Sequence, residues 1–448
     1  MRKAFFILLS ALAVCACTGR APAGDPVLDI TDAEREARIA LDFNRDSAWI
    51  VDWLKPYYPD LSETQMADWE ARKVLESRVI DGQKRYFRNA ARNLFRIDPE
   101  ARKVFEAANG VSRDVEDIYL DGYNHAVIAA VRETGSSLVM PVNFLVRYAL
   151  TVKADAVPAG ETVRAWMPYP REDQNSVSEV KLIAASEPDY IIAPDEVEHK
   201  SIYMEKKAEA GKPTVFTYTF SFTGFNEWYD FRPEECRPYD TQSDLYKTYT
   251  SERRTHIVFT DRIRALADSL VAGETNPYRK VLRIYRWIAE TFPWASAREY
   301  STIGNIPMYV LENGHGDCGQ VGLLLVTLCR CAGVPARWQS GWMLHPGAVN
   351  LHDWSEVYYE GIGWVPTDVS FGRGRDGVKD IEEEYLFYTK GLDAYRLICN
   401  SDYSGAFFPA KQFIRSETVD FQRGEVEWAG GNLYFDQWSG WIEEIEYR

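Results

Sequence analysis

The chain has 448 residues, of which 46% are hydrophobic and 26% are charged, and its formal net charge at pH 7 is −16. This length predicts two or three folded domains, because a single hydrophobic core stops growing well below it. The composition is that of a globular protein and excludes a disordered or low-complexity chain. The acidic balance, without any long Lys/Arg run, excludes a general nucleic-acid-binding surface, which needs a basic face.

The N-terminus has the pattern of a secretory signal. Two basic residues precede an apolar run that is too short to span a bilayer and that ends at small residues and cysteines. The segment Val14–Cys17 resembles a bacterial lipobox, because small Ala16 stands directly before Cys17. The resemblance implies a lipoprotein signal peptide over residues 1–16, lipidation of Cys17 and a tether over residues 17–30. An ordinary cleaved signal is the alternative.

The other cysteines do not form a recognisable framework. Seven cysteines occur, and two of them, Cys15 and Cys17, lie in the leader. The remaining five are odd in number and irregular in spacing, which argues against a disulfide framework and leaves at least one free thiol. Cys329 and Cys331 lie two apart in an apolar helical run and do not face each other, so no zinc site is expected. The sequence implies no metal and no organic cofactor.

Residues 31–135 are predicted to form a helical N-terminal domain. Ser62 with Gln65 makes a capping box ahead of an amphipathic run to about Ile80. Asp98-Pro99 supplies a cap and a first-turn proline to another helix. We find no group of residues with an evident chemical role in this region.

From about residue 140 the periodicity changes to that of β-strands. Apolar residues alternate with others over 146–152, and aromatic residues alternate with Thr and Ser over 216–222. Short strands separated by turn residues favour a β-sandwich over residues 140–225. The Pro- and Tyr-rich residues 226–255 are predicted to be a linker. The Trp- and Gly-rich residues 405–448 are predicted to be a C-terminal β extension that closes the domain before it.

Residues 256–404 begin with helical periodicity and end with strands. Amphipathic segments run over 258–270 and onward from Pro277, and a third helix is predicted from Cys318 to the terminator Gly333-Val334-Pro335. Strands are predicted at 336–343, 351–359 and 364–371. We therefore expect an α+β domain in which helices precede an antiparallel hairpin.

Cys318 stands where a reactive thiol is expected. A helix N-terminus stabilises a thiolate through its partial positive charge and free N–H groups, which lowers the thiol pKa. The same N–H groups can hold an oxyanion. Asp317 opposes the first effect, because a nearby carboxylate disfavours the thiolate. The alternative role, a small buried residue, fits Cys329 and Cys331 far better, since both lie among leucines.

The predicted hairpin brings a histidine and a carboxylate together. A turn near Gly361 places His352 roughly opposite residues 368–370, and strand alternation puts Asp368 on the same face as the histidine. A carboxylate on one ring nitrogen leaves the other for a thiol, which is the logic of a catalytic triad. Taken singly, His352 would more often be structural and Asp368 a strand-end carboxylate. The other histidines are weaker candidates; His345, for example, is predicted to lie in a Pro-Gly loop.

Short motifs over residues 314–372 carry a resemblance to a known family: Gly316-Asp317-Cys318-Gly319, then Leu328-Cys329-Arg330 and Gly333-Val334-Pro335-Ala336-Arg337, then His352-x-Trp354-x-Glu356-Val357, then Trp364-Val365-Pro366-x-Asp368. Their order and spacing resemble the transglutaminase-like superfamily, over about residues 256–372 for the fold. The resemblance implies an α+β, papain-like core, in which a helix bearing the cysteine packs on an antiparallel sheet bearing histidine and aspartate. It also implies an upstream oxyanion donor, for which Trp294 is the candidate, although core packing is the commoner role for such a tryptophan.

We infer an exported enzyme, anchored by its N-terminal lipid alone in the bacterial cell envelope, at the outer membrane. Cys318, His352 and Asp368 would hydrolyse amide bonds in a protein, peptide or peptidoglycan-peptide substrate. The alternatives are a transglutaminase that passes the acyl group to an amine, and a catalytically silent envelope binding protein. Water is the default acceptor, and silent members usually lack the cysteine or the histidine. A further hypothesis is that tryptophans in the tail stack on sugars, although a stretch as rich in tryptophan as this one more commonly packs in a core.

Overall fold

The computed structural model describes residues 29–111, 114, 115, 119, 120, 122–372 and 386–448. Helices and antiparallel sheets occur together in these residues, so the predicted α+β class is confirmed. The predicted signal peptide (1–16), the lipidated Cys17 and nearly all of the 17–30 tether lie outside the described residues. Across the described part of the chain, no helix combines the length and apolar character that crossing a membrane requires.

The N-terminal region folds around an apolar core of its own. Its elements are α1 (Asp32–Asp42), α2 (Ser47–Leu54), α3 (Glu63–Ala71), β1 (Ser77–Ile80), β2 (Gln83–Tyr86), α4 (Ala90–Ile97) and α5 (Pro99–Asn109). Ser62 accepts the N–H of Gln65, which is one half of the predicted capping box, and Asp98 forms the predicted cap by accepting the N–H of Ala101. The region is therefore mostly helical, as expected, but it is not helical throughout.

The predicted continuation of the third helix to about Ile80 is wrong. That helix ends at Ala71, and Ile80 is the last residue of β1, which pairs with β2. Asp81 and Gly82 both have positive φ and form the two-residue turn between these strands. An Asp-Gly turn of this kind is among the strongest local signals for a hairpin, and it outweighs the helical periodicity of the preceding residues.

The helix α6 (Tyr123–Thr134) leads into the first strands of a β-sandwich. These strands are β3 (Leu138–Val152), β4 (Thr162–Pro168), β5 (Val177–Ala185), β6 (Tyr190–Ile192), β7 (Ser201–Lys207) and β8 (Thr214–Trp228). The strands β3 and β8 pair along most of their length, with Tyr148 opposite Tyr218. Their apolar side chains and those of β4 and β7 form one core. The predicted sandwich is therefore present.

The next part of the chain supplies helices and a separate four-stranded sheet. The helices are α7 (Asp244–Tyr249), α8 (Asp261–Leu270), α9 (Pro277–Thr291), α10 (Ile306–Asn313) and α11 (Cys318–Cys331). The strands are β9 (Ala336–His345), β10 (Ala348–Tyr359), β11 (Gly363–Thr367), β12 (Gly391–Leu392) and β13 (Arg396–Asn400). The strands β11, β10, β9 and β13 lie in that order and form the sheet that we call the central sheet.

The C-terminal tail contains β structure, as predicted, but its strands pair with the sandwich and not with the domain that directly precedes the tail. Its strands are β14 (Glu425–Trp428), β15 (Gly431–Leu433) and β16 (Trp438–Tyr447). The strand β16 pairs with β3, and β14 pairs with β4, so residues from the tail complete both sheets of the sandwich. Without the tail, β3 and β4 would each have an edge of unpaired backbone N–H and C=O groups, which the strands of the tail satisfy. Pairing between segments that are distant in sequence leaves no trace in local periodicity.

The central sheet lies between the helices and the sandwich, and the two faces of β10 differ accordingly. The helix α11, which is buried along nearly its whole length, packs on one face. Ser355 belongs to that face, because its hydroxyl donates to the carbonyl of Gly322 in α11 at 3.4 Å. His352 stacks on Trp354, and Trp354 belongs to the core shared with the sandwich. Neighbouring residues of β10 therefore point into different layers of the molecule.

Gly341 fixes the spacing between β9 and β13. It pairs with His352 on one side and with Ile398 on the other, and a Cβ atom at this position would lie 1.8 Å from the carbonyl oxygen of Leu397. The substitution Gly341→Ala is therefore expected to lower the free energy of unfolding by more than about 3 kcal/mol, measured by urea denaturation. Gly304→Ala is the matched control, since no atom lies within 4 Å of the position that its added methyl group would take. It should change stability by less than about 0.5 kcal/mol. Equal effects of the two substitutions would contradict this packing account.

Candidate active site

Cys318 is the first residue of α11 and lines an open groove with a volume of about 500 Å³. Asp317 caps the helix by accepting the N–H of Gln320, and the Gln320 side chain accepts the N–H of Asp317. This reciprocal capping box fixes where the helix begins. The predicted helix start at Cys318 is thus confirmed, and the first-turn N–H groups lie beside the sulfur, without partners inside the helix.

The Cys318 thiol donates a hydrogen bond to a carboxyl group, not to the imidazole. Its Sγ lies 3.5 Å from Oδ2 of Asp353, which also accepts a hydrogen bond from the Tyr300 hydroxyl at 3.4 Å. Gly319 permits this approach, because a Cβ there would lie 2.6 Å from Oδ2 of Asp353 and 2.2 Å from the Tyr300 hydroxyl. The sulfur thus contacts the residue next to His352 in sequence.

The predicted lowering of the Cys318 pKa is wrong for the resting protein. Burial, followed by the carboxyl groups of Asp353 and Asp317, raises the pKa of this thiol well above 9.0. The helix terminus is therefore outweighed by loss of solvation and by two acidic neighbours, of which only Asp317 was visible as an opposing group in the sequence. Cys318 rests as a neutral thiol.

His352 and Asp368 form the contact that the hairpin register predicts. Nε2 of His352 lies 2.7 Å from Oδ2 of Asp368, and both side chains are buried. Strand pairing ends at Ser355 opposite Thr367, which places the imidazole just past the last paired residues of β11. Burial would raise the pKa of Asp368, but His352 and Arg396 hold it at about 2. Burial lowers the pKa of His352 from 6.5 although Asp368 opposes it, so the ring is neutral at pH 7.

The structure does not bring the sulfur and the imidazole together. Among the residues that the structure describes, no hydrogen bond joins Cys318 to His352, whose ring lies on the sandwich side of β10. Asp368 nevertheless contributes to the raised pKa of Cys318, so the His352–Asp368 pair lies within electrostatic range of the thiol. With Nε2 engaged by Asp368, Nδ1 is the nitrogen left for the sulfur.

Arg396 is a site residue that the sequence did not reveal. Its Nη1 donates to Oδ2 of Asp368 at 3.0 Å, and its Nε and Nη2 donate to Asp393 at 3.1 and 2.8 Å. Asp393 also contacts Nε2 of His345 at 2.9 Å. A buried chain of alternating charges thus runs behind His352, and His345 ends β9 instead of lying in a loop as predicted. Arg396 lies on β13, and no local pattern in the sequence links that strand to the hairpin.

The N-terminal helical region forms part of the groove, although its sequence carried no chemical signal. Nη2 of Arg88 lies 2.8 Å from Oε1 of Glu299, and Arg423 from the C-terminal tail also binds this carboxylate. Burial would raise the pKa of Glu299, but Arg423 and Arg88 hold it at about 2. Three distant segments of the chain therefore meet at one ionised glutamate beside the groove.

Two tryptophans line the groove together with Cys318. Trp294 is 41% exposed, so core packing, the alternative role considered for it, is wrong. Its backbone bridges to Gly316, just before the cysteine, and the guanidinium of Arg96 lies over its ring at 4.5 Å. Trp441 is 43% exposed, whereas Trp438 from the same tail is buried in the sandwich core.

The remaining cysteines are not catalytic candidates. Throughout the described ranges the cysteines are free, and Cys329 and Cys399 are fully buried. The predicted free thiol is therefore present. In the same ranges, no cluster of three or more His, Cys, Asp or Glu side chains is arranged to hold a metal ion.

The substitution Arg396→Met tests the buried charge chain. It leaves the buried carboxylates of Asp368 and Asp393 without their cation, so we expect a loss of about 3–5 kcal/mol in the free energy of unfolding at pH 7. Because the Asp368 pKa is lowered, this stabilisation is present at neutral pH and disappears as the pH falls toward about 2. Urea denaturation across this pH range is the measurement.

Two controls accompany this variant. Arg396→Lys keeps the charge and should be the milder substitution. Arg147→Met breaks an exposed ion pair with Glu443, at 3.1 Å, and should cost less than about 1 kcal/mol. A loss for Arg396→Met as small as that for Arg147→Met would contradict the assigned role.

Part of this chain is similar in sequence to known proteins. Residues 264–369 match the sequence model of the transglutaminase-like superfamily. An uncharacterized protein of Bacillus subtilis, YebA, is 27% identical over 131 residues, which are 25% of this chain and 18% of YebA. An uncharacterized protein of Haemophilus influenzae is 27% identical over 140 residues, or 25% of this chain and 37% of that protein. The chain thus spans less than half the length of either relative.

Solved structures are similar at lower identity. A candidate cysteine protease from Cytophaga hutchinsonii is 16% identical, with 68% of this chain and 99% of that chain covered and a TM-score of 0.42. The periplasmic domain of TgpA from Pseudomonas aeruginosa is 15% identical, with 54% and 91% covered and a TM-score of 0.28. The family assignment therefore depends on the matched residues that contain the cysteine helix and the hairpin. This chain carries a transglutaminase-like domain at residues 264–369.

Proposed function

We propose that this protein is a thiol-dependent acyl-transfer enzyme that hydrolyses amide or peptide bonds, with Cys318 as nucleophile, His352 as base and Asp368 as the residue that orients the base. One observation carries the proposal. The thiol at the start of α11 lines an open groove and touches the residue adjacent to a histidine whose Nε2 is held by a buried, ionised aspartate. A nucleophile, a base and an orienting acid are the parts that covalent acyl transfer requires.

The directions in which the pKa values of Cys318 and His352 shift favour a reaction that starts from a neutral thiol and a neutral imidazole. Burial and acidic neighbours keep Cys318 protonated, and burial keeps His352 unprotonated at pH 7. Attack requires a movement that brings Nδ1 of His352 to the sulfur, because at rest the thiol is bonded to Asp353 and the imidazole lies on the other side of β10. Nδ1 then takes the thiol proton as the C–S bond forms. The imidazolium then gives this proton to the departing amine, and a thioester remains. Water attacks the thioester with the same imidazole as base, which restores the thiol and releases the acid.

The groove also offers donors for the oxyanion of the tetrahedral intermediate. The N–H groups of the first turn of α11 lie beside the sulfur, and Trp294 lies in the same groove next to the loop before Cys318. Donors fixed before reaction act on the charge as it develops, and one such donor is commonly worth about 10²- to 10³-fold in rate. We assign the N–H groups of Cys318 and Gly319 as principal donors, because the N–H of Gln320 is already bound to Asp317, and the Trp294 indole as an additional one.

The setting that we propose follows from the leader sequence. The basic start, the short apolar run and Ala16-Cys17 support export and lipidation at Cys17, with protein, peptide or peptidoglycan-peptide substrates in the cell envelope. Detection of a diacylglyceryl-modified Cys17 in membrane fractions by mass spectrometry tests this part. Recovery of the wild-type chain from the periplasm without the lipid would overturn it and leave the proposed chemistry intact.

Active-site variants test the proposed chemistry. Cys318→Ala should abolish amide hydrolysis, and Asp368→Asn should lower kcat/KM by about 10²- to 10⁴-fold because the imidazole loses its orientation. Because the His352 pKa is lowered from 6.5, the acid limb of kcat/KM should lie below pH 6.5, with a plateau through neutral pH. Ammonia or amine release from small amide and peptide substrates is the readout, and an acyl adduct on Cys318 is sought by mass spectrometry.

Matched controls separate this enzyme from the alternatives. Cys331→Ala, on the same helix, should retain full activity. In the same assay, an added primary amine should leave hydrolysis dominant, whereas incorporation of the amine faster than hydrolysis would favour a transglutaminase. Release of product by Cys318→Ala at the wild-type rate would refute the nucleophile, and complete inactivity of the wild type across amide substrates would favour a silent binding protein. That last alternative has one observation in its favour, the hydrogen bond that directs the thiol to Asp353.

A further inference from the structure

The groove beside Cys318 carries carboxyl groups that no ion pair accounts for. We call Asp353, Glu417 and Asp420, which all line the groove, the acidic patch. Within the described part of the chain, no Lys, Arg or His forms an ion pair with any of the three. Of the nearby cations, Arg88 and Arg423 bind Glu299, and Arg298 lies 3.5 Å from Glu76. Nη2 of Arg415 donates to the backbone carbonyl of Asp420, at 2.8 Å, and not to its carboxyl group.

Asp420 is the member of the patch that points to a missing partner. It is only 8% exposed, and no described residue donates a hydrogen bond to its carboxyl group, although the group lines the groove. By contrast, Asp353 accepts hydrogen bonds from Gln422, Tyr300 and Cys318. Because the Asp420 carboxyl group is open to the groove, its hydrogen-bond donors must come from the groove, where a donor brought by a ligand can take the place of water.

The raised pKa values of the three carboxyl groups in the acidic patch agree with a site that binds a cation. Burial raises the pKa of Asp420 to about 7, against the opposing effects of Arg423 and Arg415 and with the support of Glu299 and Asp317. Burial and Asp420 raise the pKa of Asp353 and of Glu417 as well. A cation that enters the groove would favour the ionised carboxylates and release protons from them.

We propose that the acidic patch binds a primary ammonium group carried by the acyl donor, next to the carbonyl that Cys318 attacks. This rests on the proposed acyl-transfer function and names its substrate class: peptides or amides with a free amino group close to the reacting bond. An ammonium group is compact and has three donors, which suits carboxyl oxygens on different sides of a small site. The exposed rings of Trp294 and Trp441 offer apolar walls for the carbon chain that carries it.

The bound ammonium group belongs to the acyl donor and not to an amine that attacks the thioester. A nitrogen held between carboxylates stays protonated, because opposite charges nearby favour the charged form. A protonated nitrogen has no free electron pair and cannot attack a thioester. The patch therefore recognises a group that remains outside the reaction, and water remains the acceptor.

Charged thiol reagents test the patch without any need for catalysis. Wild-type protein is treated separately with methyl (neutral), 2-aminoethyl (cationic) and 2-sulfonatoethyl (anionic) methanethiosulfonate. In each case the Cys318 sulfur attacks the sulfenyl sulfur, a disulfide forms and methanesulfinate leaves. The rates at Cys318 and Cys331 are followed in the same samples by peptide mass spectrometry, so that Cys331 corrects for the net negative charge of the protein.

The expected result is a cationic-to-neutral rate ratio at Cys318 at least about tenfold above the ratio at Cys331, with the anionic reagent slowest at Cys318. Asp420→Asn keeps the shape of the side chain, and it should bring the Cys318 ratio to within about twofold of the Cys331 ratio. Glu417→Gln should lower it partly, and Asp60→Asn, at an exposed acid far along the chain, should leave it unchanged. Urea denaturation checks that each variant is folded.

Two outcomes would overturn the proposal: equal charge preference at Cys318 and Cys331 in the wild type, or a preference at Cys318 that survives both Asp420→Asn and Glu417→Gln. A substrate pair then separates the proposal from the function on which it rests. A peptide amide with a free amino group should react at least about tenfold faster than its N-acetyl counterpart, and Asp420→Asn should remove this difference. Equal turnover of the pair would overturn the ammonium site alone, whereas charge-selective labelling without turnover of either peptide would overturn the acyl-transfer function alone.

Discussion

The site depends on one buried carboxylate that is shared between a histidine and an arginine. Oδ2 of Asp368 accepts from Nε2 of His352 at 2.7 Å and from Nη1 of Arg396 at 3.0 Å. A carboxylate shielded from water stays ionised only if such donors compensate for its lost hydration. In return it fixes which ring nitrogen of His352 carries the proton. The register of the hairpin and the spacing of β9 and β13 hold this arrangement in place, and the capping of α11 fixes the position of Cys318.

The two faces of strand β10 carry side chains with different proposed roles. His352 and its buried charge partners lie on the sandwich side, where Arg396 and Asp393 extend the network to His345. Asp353, the next residue, lies on the α11 side, accepts the thiol hydrogen bond and belongs to the acidic patch of the groove. One strand thus separates the group proposed to move the proton from the groups proposed to recognise the substrate. The groove itself is assembled from the helical region, the transglutaminase-like domain and the C-terminal tail.

Local sequence patterns were sufficient for the parts of the site that depend on local rules. The start of α11 follows from its cap, and the His352–Asp368 contact follows from alternation and a short turn. The contributions of Arg396, Asp420 and Arg88 come instead from β13, the tail and the N-terminal helices, which are close to the hairpin only in the folded chain. The thiol pKa was mispredicted for the same reason, since burial and Asp353 act on it through tertiary packing. The tail was misassigned because strand partners distant in sequence leave no periodic signal.

The proposed chemistry requires that Nε2 of His352 is protonated and bound to Asp368, which leaves Nδ1 as the base for Cys318. Nitrogen-15 NMR of the histidine rings measures this directly, with the His352 signals assigned by their loss in His352→Gln among the six histidines of the chain. At pH 7 we expect a protonated Nε2, an unprotonated Nδ1 and a pKa below 6.5, with the Nδ1 resonance shifting when Cys318 is alkylated. A protonated Nδ1, or a ring that does not respond to modification of Cys318, would contradict the account.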